Sequence, residues 1–207
     1  LAPGVGEVVF NGVRIDETAP EAMPLPFDRY VLALGRAVEK KGFDLLLRAF
    51  ARLEGHDEVG LVIGGDGSAL ARLGSLAREV GLGTRVTLPG RLNRGQVAGL
   101  MQRAEVFVMP SRLEPFGIVV LEAWRAGLPV IATSRGGPPE FVENGVDGLL
   151  VDPFDERAVT GCLDRLLSDR ELGRILGSAG RNKVQRFQWS AIAQQYRDLY
   201  GKAIDSR

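Results

Sequence analysis

Short runs rich in Val, Ile and Leu recur along this chain, and amphipathic stretches of helical length separate them. The runs Glu7–Phe10, Arg29–Gly35, Val59–Gly64, Arg85–Leu88, Glu105–Pro110, Pro129–Thr133 and Gly148–Val151 read as strands. The first reads equally well as a linker edge. Between them, Phe43, Leu46, Leu47, Phe50 and Leu53 recur at helical spacing, as do Leu70, Leu73, Leu76 and Val80. Ser68 and Asn93 stand where helix caps are expected, and Gln96 three residues after Asn93 completes a capping-box pattern. Strand, helix and strand repeated in this way imply an α/β fold: a doubly wound parallel sheet with right-handed crossovers and helices on both faces. Near-continuous apolar strands such as Val106–Val108 suit a sheet covered on both sides. Such sheets bind ligands beyond the carboxyl ends of their strands, where the strand order reverses.

The two ends of the chain break this rhythm. Residues 1–28 are proline-rich (Pro3, Pro20, Pro24 and Pro26) and read as a linker and edge segment. Residues 29–188 carry the strand–helix alternation. From Asp155 to Ile204 only helices are expected, interrupted near Asp169 and near Trp189–Ser190, with residues 189–207 forming a final helix. Extra helices without returning strands must pack on the finished domain or on a neighbour.

Composition removes several classes of function. Lys plus Arg and Asp plus Glu both number 26, so no bulk field points to nucleic acid or to acidic lipid. Cys162 is the only cysteine and falls in an expected helix, which leaves no disulfide framework and no cysteine-based zinc spacing. His56 is the only histidine, and its polar surroundings suggest an exposed loop residue rather than part of a catalytic triad. No apolar run has the length of a membrane span and no signal peptide opens the chain, so cytoplasm is the expected compartment.

The polar and glycine-rich motifs fall just after strands. After the first strong strand comes GRAVEKKG, Gly35–Gly42, which sets Arg36, Lys40 and Lys41 at the mouth of the expected site. Arginine offers a planar fork for phosphate oxygens and lysine a mobile point charge. A solvated basic turn before a helix would have the same appearance. The second strand runs into GGDGS, Gly64–Ser68, where glycine allows backbone to approach a ligand or simply makes a tight turn. Neither G-x-G-x-x-G nor a P-loop pattern is present.

The most informative segment is SRLEPFGIVVLEAWRAGLPV, Ser111–Val130. Pro115 suits the first turn of a helix, which places the expected helix start near Glu114. Amides around Phe116, Gly117 and Ile118 then point outward toward an anion. Glu122 stands five residues past Gly117, about 7 Å along the axis, within reach of ribose hydroxyls when the diphosphate rests at the helix start. The helix dipole explains an acid at Glu114. It does not explain Glu122, whose neighbours Val119, Val120, Leu121 and Ala123 are apolar or small. Gly136, Gly137, Pro138, Pro139 and Glu140 then form another loop after a strand.

In order, NGV (Asn11–Val13), GR…KG, GGDG, VTLPGRL, PSRLEPFGIVVLEA, GLPVIAT, GGPPE and NGVDGLLVDPFD span nearly the whole chain, which ends on FQWSAIAQQYRDLY. This series resembles the C-terminal, donor-binding domain of retaining GT-B glycosyltransferases, the sucrose-synthase and mannosyltransferase-like group, whose fold is Rossmann-like. Glu114 and Glu122 match its E-x7-E pattern. The resemblance implies a nucleotide-diphosphate sugar as substrate, UDP-, GDP- or ADP-linked, and no cofactor. Arg36 and Lys41 would bind the diphosphate, Glu122 the ribose and Glu114 the transferred sugar. Phe116 and Gly117 would offer backbone to the distal phosphate, while Arg91 and Leu92 would lie near the base. Gly65 and Gly137 would line the site. Glu114, Arg36 and Lys41 would carry the catalytic roles, without a metal, and the chain has no D-x-D pair. The resemblance also implies an N-terminal partner domain that carries the acceptor site and decides membrane association. The chain starts where such enzymes have their interdomain linker, so this half alone is expected to bind donor weakly and transfer little. Two other readings stay open: a GT-B-related sugar-nucleotide hydrolase or epimerase, and a non-catalytic nucleotide-sugar-binding module.

Overall fold

The computed structural model describes residues 9–13 and 18–205. Six parallel strands form one sheet in the order β3-β2-β1-β4-β5-β6. They are β1 (Arg29–Leu34), β2 (Val59–Gly64), β3 (Val86–Gly90), β4 (Val106–Met109), β5 (Val130–Thr133) and β6 (Leu149–Val151). The order reverses between β1 and β4, which pair through Val31 with Val106 and Leu32 with Phe107. That is the switch point where a doubly wound sheet opens a crevice. Of the expected first strand, residues 7–8 lie outside the described residues, and Val9–Phe10 are not strand.

The strand period of two divides the core. Along β1, Val31 and Ala33 join the layer formed with α1 (Phe43–Ala51), α2 (Leu70–Glu79) and α5 (Glu156–Ser168). Tyr30, Leu32 and Leu34 join the opposite layer, formed with α3 (Arg94–Arg103) and α4 (Ile118–Arg125). On β2 that second face is nearly bare, because Gly60 and Gly64 flank Val62. Phe27 lies on Gly60, and Leu92 lies on Gly64, where an added Cβ would meet its Cδ1 at 2.5 Å. The missing side chains on β2 thus set where Leu92 stands.

The expected capping box forms: Asn93 Oδ1 accepts from the Gln96 amide at 2.8 Å, and Gln96 Oε1 accepts from the Asn93 amide at 2.9 Å. Ser68 does not cap α2. The N-cap is Ala69, whose amide donates to the Ala37 carbonyl at 2.8 Å, so neighbouring backbone supplies the contact expected of the serine. The tail is helical as expected. Asp169 separates α5 from α6 (Arg170–Lys183) and caps the latter, and α7 (Trp189–Asp205) follows a short 3-10 turn at Val184–Phe187.

His56 is not exposed. It is buried between the α1–β2 connection and α5, with Nε2 3.0 Å from Asp164 Oδ1. A polar sequence neighbourhood gave no sign that α5, more than a hundred residues away, would cover it. The described part of residues 9–27 also packs on the body. Phe10 sits 5.9 Å from Phe116 and 5.8 Å from Phe187 between ring centroids, and the Glu21 amide donates to the Gly95 carbonyl.

Candidate functional site

The loops that leave β1, β2 and β3 run side by side at the carboxyl end of the sheet. Gly35 donates to the Gly64 carbonyl at 3.0 Å and Gly65 to the Gly90 carbonyl at 2.8 Å. A Cβ on Gly65 would lie 1.8 Å from the Gly35 carbonyl oxygen. Glycine at position 65 is therefore required by the close approach of the loop after β1. Arg36, beside Gly35, is exposed, and its guanidinium has no partner among the described residues. Lys41 ends a 3-10 turn at Glu39–Lys41.

The loop after β4 departs from expectation in one respect. Helix α4 begins at Ile118, not near Glu114, and Pro115 precedes it. Glu114 is held in an extended bridge to Gly136: its amide donates to the Arg135 carbonyl at 3.1 Å and its carbonyl accepts from Gly137 at 2.8 Å. That pairing with the post-β5 loop outweighs the helix preference of the proline. Gly137 accordingly packs on Pro115, where an added Cβ would lie 2.4 Å from the carbonyl oxygen. The turn into α4 is made by Gly117 at φ +99°, a left-handed conformation that disfavours other residues. The amides of Ile118 and Val119 then have no carbonyl partner among the described residues, as at any helix start. The Phe116 ring leaves the mouth and packs 5.0 Å from Phe141, so only its backbone stands at the helix entrance.

Lys41 and Glu114 meet. Lys41 Nζ lies 2.6 Å from Glu114 Oε2, and the same oxygen accepts from Ser111 Oγ at 2.8 Å. Glu114 is only 7% exposed, so these two donors rather than water supply the hydrogen bonds to Oε2. Its Oε1 receives no hydrogen bond from the described residues. The crossover loop after β1 and the segment leading into α4 thus face each other across the switch point, with Lys41 bridging them.

Glu122 stands in a different setting. It is half-buried on α4 and accepts no hydrogen bond from the described residues. Burial pushes its carboxyl pKa up, with Arg125 and Arg94 pulling the other way. It lines a cleft of about 460 Å³ together with Leu92, Asn93, Ile118 and Trp189. The cleft thus joins the residues expected at the ribose and at the base. Arg91 is exposed just outside it and does not line it.

Three residues at these sites escaped sequence reasoning. Ser111 and Arg112 lie inside the motif but carried no separate signal. Trp189 reaches the cleft from a helix that begins 67 residues after Glu122, a proximity that only the fold creates. No group of three or more His, Cys, Asp or Glu side chains suited to a metal ion occurs among the described residues. Cys162 is partly buried on α5, with burial pushing its thiol pKa up. No helix among the described residues is long and apolar enough to cross a membrane.

Comparison with known proteins identifies the family and the fold. The family described as "Glycosyl transferases group 1" matches residues 19–183. The lipopolysaccharide core biosynthesis glycosyltransferase LpsE of Rhizobium meliloti is 36% identical over 170 residues, 82% of this chain and 48% of that protein. A GDP-mannose-dependent alpha-(1-6)-phosphatidylinositol monomannoside mannosyltransferase of Mycobacterium tuberculosis is 36% identical over 82% of this chain and 46% of its own length. Among solved structures, sucrose-phosphate synthase from Thermosynechococcus elongatus superposes with a TM-score of 0.83 at 32% identity, covering 97% of this chain and 53% of that one. Anabaena HepE, solved with UDP and glucose, superposes with a TM-score of 0.77 at 27% identity over 84% of this chain and 48% of that one. The chain spans about half the length of the relatives it matches. With residues 19–183 matching that family and relatives 36% identical over 82% of its length, this chain belongs to the group 1 glycosyltransferases.

Proposed function

We propose that this chain is the donor-binding half of a retaining glycosyltransferase that moves a hexose from a nucleotide-diphosphate sugar to an acceptor. The observation that carries this reading is the arrangement along α4. Its open amide end lies beside the Lys41–Glu114 pair, and Glu122, five residues past Gly117 or about 7.5 Å along the axis, lines the cleft with a carboxylate that accepts no hydrogen bond from the described residues. A nucleoside diphosphate fits that spacing: phosphates at the helix end and Lys41, ribose diol on Glu122, base against Leu92. Arg36, free of described partners, adds a second cation for the phosphates, and Arg91 stands at the outer edge of the base. The sugar then falls beside Glu114, whose Oε1 can accept from its hydroxyls.

In this reading the leaving diphosphate is stabilised by Arg36, Lys41 and the amide end of α4, with no metal required. Preorganised donors aimed at developing charge lower the barrier because they need not reorganise as the bond breaks. An N-terminal domain supplies the acceptor site, and α7 packs toward it with the exposed side chains Trp189, Tyr196 and Tyr200. Alone, this half binds donor weakly and transfers little, and the protein works in the cytoplasm. The named relatives support the donor class: one is GDP-mannose-dependent and another was solved with UDP-glucose.

A thermal-shift panel of UDP, GDP and ADP tests the reading, since a ligand that binds only the folded state raises stability by mass action. One diphosphate should stand out, and Arg36→Ala and Lys41→Ala should each weaken it by about 1.5–3 kcal/mol, the range for a charge-assisted contact. Unchanged affinity in both variants would remove the assignment.

A further inference from the structure

Arg112 lies two residues before Glu114, and its contacts go to the loop that carries Lys41. Its Nη1 donates to the Glu39 carbonyl at 2.6 Å and to Asp44 Oδ1 at 2.8 Å, and Nη2 donates to Asp44 Oδ2 at 2.7 Å. Its backbone amide donates to the Lys40 carbonyl at 2.9 Å. One residue therefore grips the loop at positions 39, 40 and 44, on both sides of Lys41. The two segments also touch directly, because a Cβ on Gly42 would lie 2.0 Å from the Pro110 carbonyl oxygen. On the outside, the Phe154 ring lies 5.8 Å from the guanidinium carbon.

Lysine has a long, flexible stem, so a defined Nζ position requires a defined backbone beneath it. The Lys41 Nζ–Glu114 Oε2 distance of 2.6 Å spans two loops that no β-ladder joins at that point. We propose that Arg112 is a positioning residue: by clamping the Glu39–Asp44 loop to the Glu114 segment, it holds the Lys41 ammonium where donor phosphate and Glu114 can share it. Arg112 itself touches neither donor nor reacting atoms. The forked contact to Asp44 needs a planar guanidinium, which lysine cannot replace. This inference rests on Lys41 being a phosphate ligand.

The test compares two probes on this chain by calorimetry: whichever of UDP, GDP and ADP binds tightest, and the matching nucleoside monophosphate. The monophosphate lacks the distal phosphate that stands beside Lys41. Arg112→Lys should lower diphosphate affinity about tenfold while leaving monophosphate affinity within about twofold, and should add nothing in a Lys41→Gln background. Arg174→Gln, which breaks an exposed pair with Glu171, should change neither. Equal loss of both affinities, in step with a lowered Tm, would make Arg112 merely structural and overturn the inference. Should Arg112→Lys fail to fold, Asp44→Asn carries the same comparison with the backbone contacts intact. If Lys41→Gln lowers the ratio of the two affinities and Arg112→Lys leaves it unchanged, this inference alone fails. If Lys41→Gln leaves the ratio unchanged, or none of the three diphosphates binds, the assignment of Lys41 falls and this inference with it.

Discussion

The two glutamates at the switch point stand in contrasting surroundings. Glu114 is almost fully buried, and one of its oxygens accepts from both Lys41 and Ser111. Glu122 is half-buried, faces a cleft of about 460 Å³ and accepts from none of the described residues. Protein supplies donors to one oxygen of the first carboxylate and, among the described residues, none to the second carboxylate. A carboxylate whose partners are built in can be oriented before any ligand arrives. One that lacks them carries a desolvation cost that a ligand with two hydroxyls can relieve. Under the proposed function, that difference assigns Glu114 to the transferred sugar and Glu122 to the ribose.

Four measurements would break or sharpen that contrast, taken from the largest effect down. Lys41→Ala removes the ion-pair partner of the buried Glu114 and leaves Ser111 as its donor, so urea unfolding should show a loss of about 3 kcal/mol, and Lys41→Ala/Glu114→Gln should recover part of it. If the single variant is as stable as the unaltered chain, the Lys41–Glu114 pair does not hold the two loops together as described above.

Asp44→Asn removes the partly buried pair with Arg112 and should cost about 1.5–3 kcal/mol. Burial alone would raise the Asp44 pKa, but the hydrogen bonds and charge of Arg112 outweigh it and hold the carboxyl below its ordinary value. A depressed folded pKa means stability present above the unfolded value and lost as pH falls through the folded one. The gap between Asp44→Asn and the unaltered chain should therefore shrink on acidification below about pH 4, as unfolding curves across pH would show.

Asn93→Ala deletes the capping box at the cleft wall and should cost about 1 kcal/mol, read as a lowered Tm. Nucleotide affinity should drop along with it only if Leu92, the preceding residue, shifts on Gly64.

The smallest effect on stability should have the opposite sign. Burial raises the folded pKa of Glu122, so the folded state holds its proton to higher pH than the unfolded chain does. Ionisation then opposes folding: stability rises as pH falls through that window, and neutral pH carries the penalty. Glu122→Gln should leave Tm at neutral pH unchanged or slightly higher, while diphosphate affinity falls about tenfold, the loss of one charge-assisted contact. A Tm decrease without loss of affinity would reverse the roles given to the two carboxylates.

Much of this was legible without coordinates. The strand positions followed from apolar runs, because a sheet covered on both faces leaves few alternatives for Val106–Val108 or Val130–Ala132. The Asn93 box was readable because capping is settled within four residues. Errors arose where a local preference met a distant partner. Pro115 favours a helix start, but the Glu114 bridge to Gly136 delays α4 to Ile118. Ser68 has the right side chain for a cap, yet the Ala37 carbonyl reached the helix end instead. His56 looked exposed until α5 was laid over it.

The residue order alone determined the doubly wound sheet and the family, and it nominated a short list of candidate site residues. Periodicity, turn chemistry and motif order are written in neighbours a few positions apart, so they survive without a fold. Tertiary structure decided which residues meet. Lys41 with Glu114 and Arg112 with Asp44 are pairs separated by tens of residues, and Trp189 and Glu122, also tens of residues apart, line one cleft. Their contacts depend on strand order and on backbone approaches such as that of Pro110 to Gly42, which no local pattern encodes. The division is physical: short-range preference fixes elements, and only packing fixes the distances between charges.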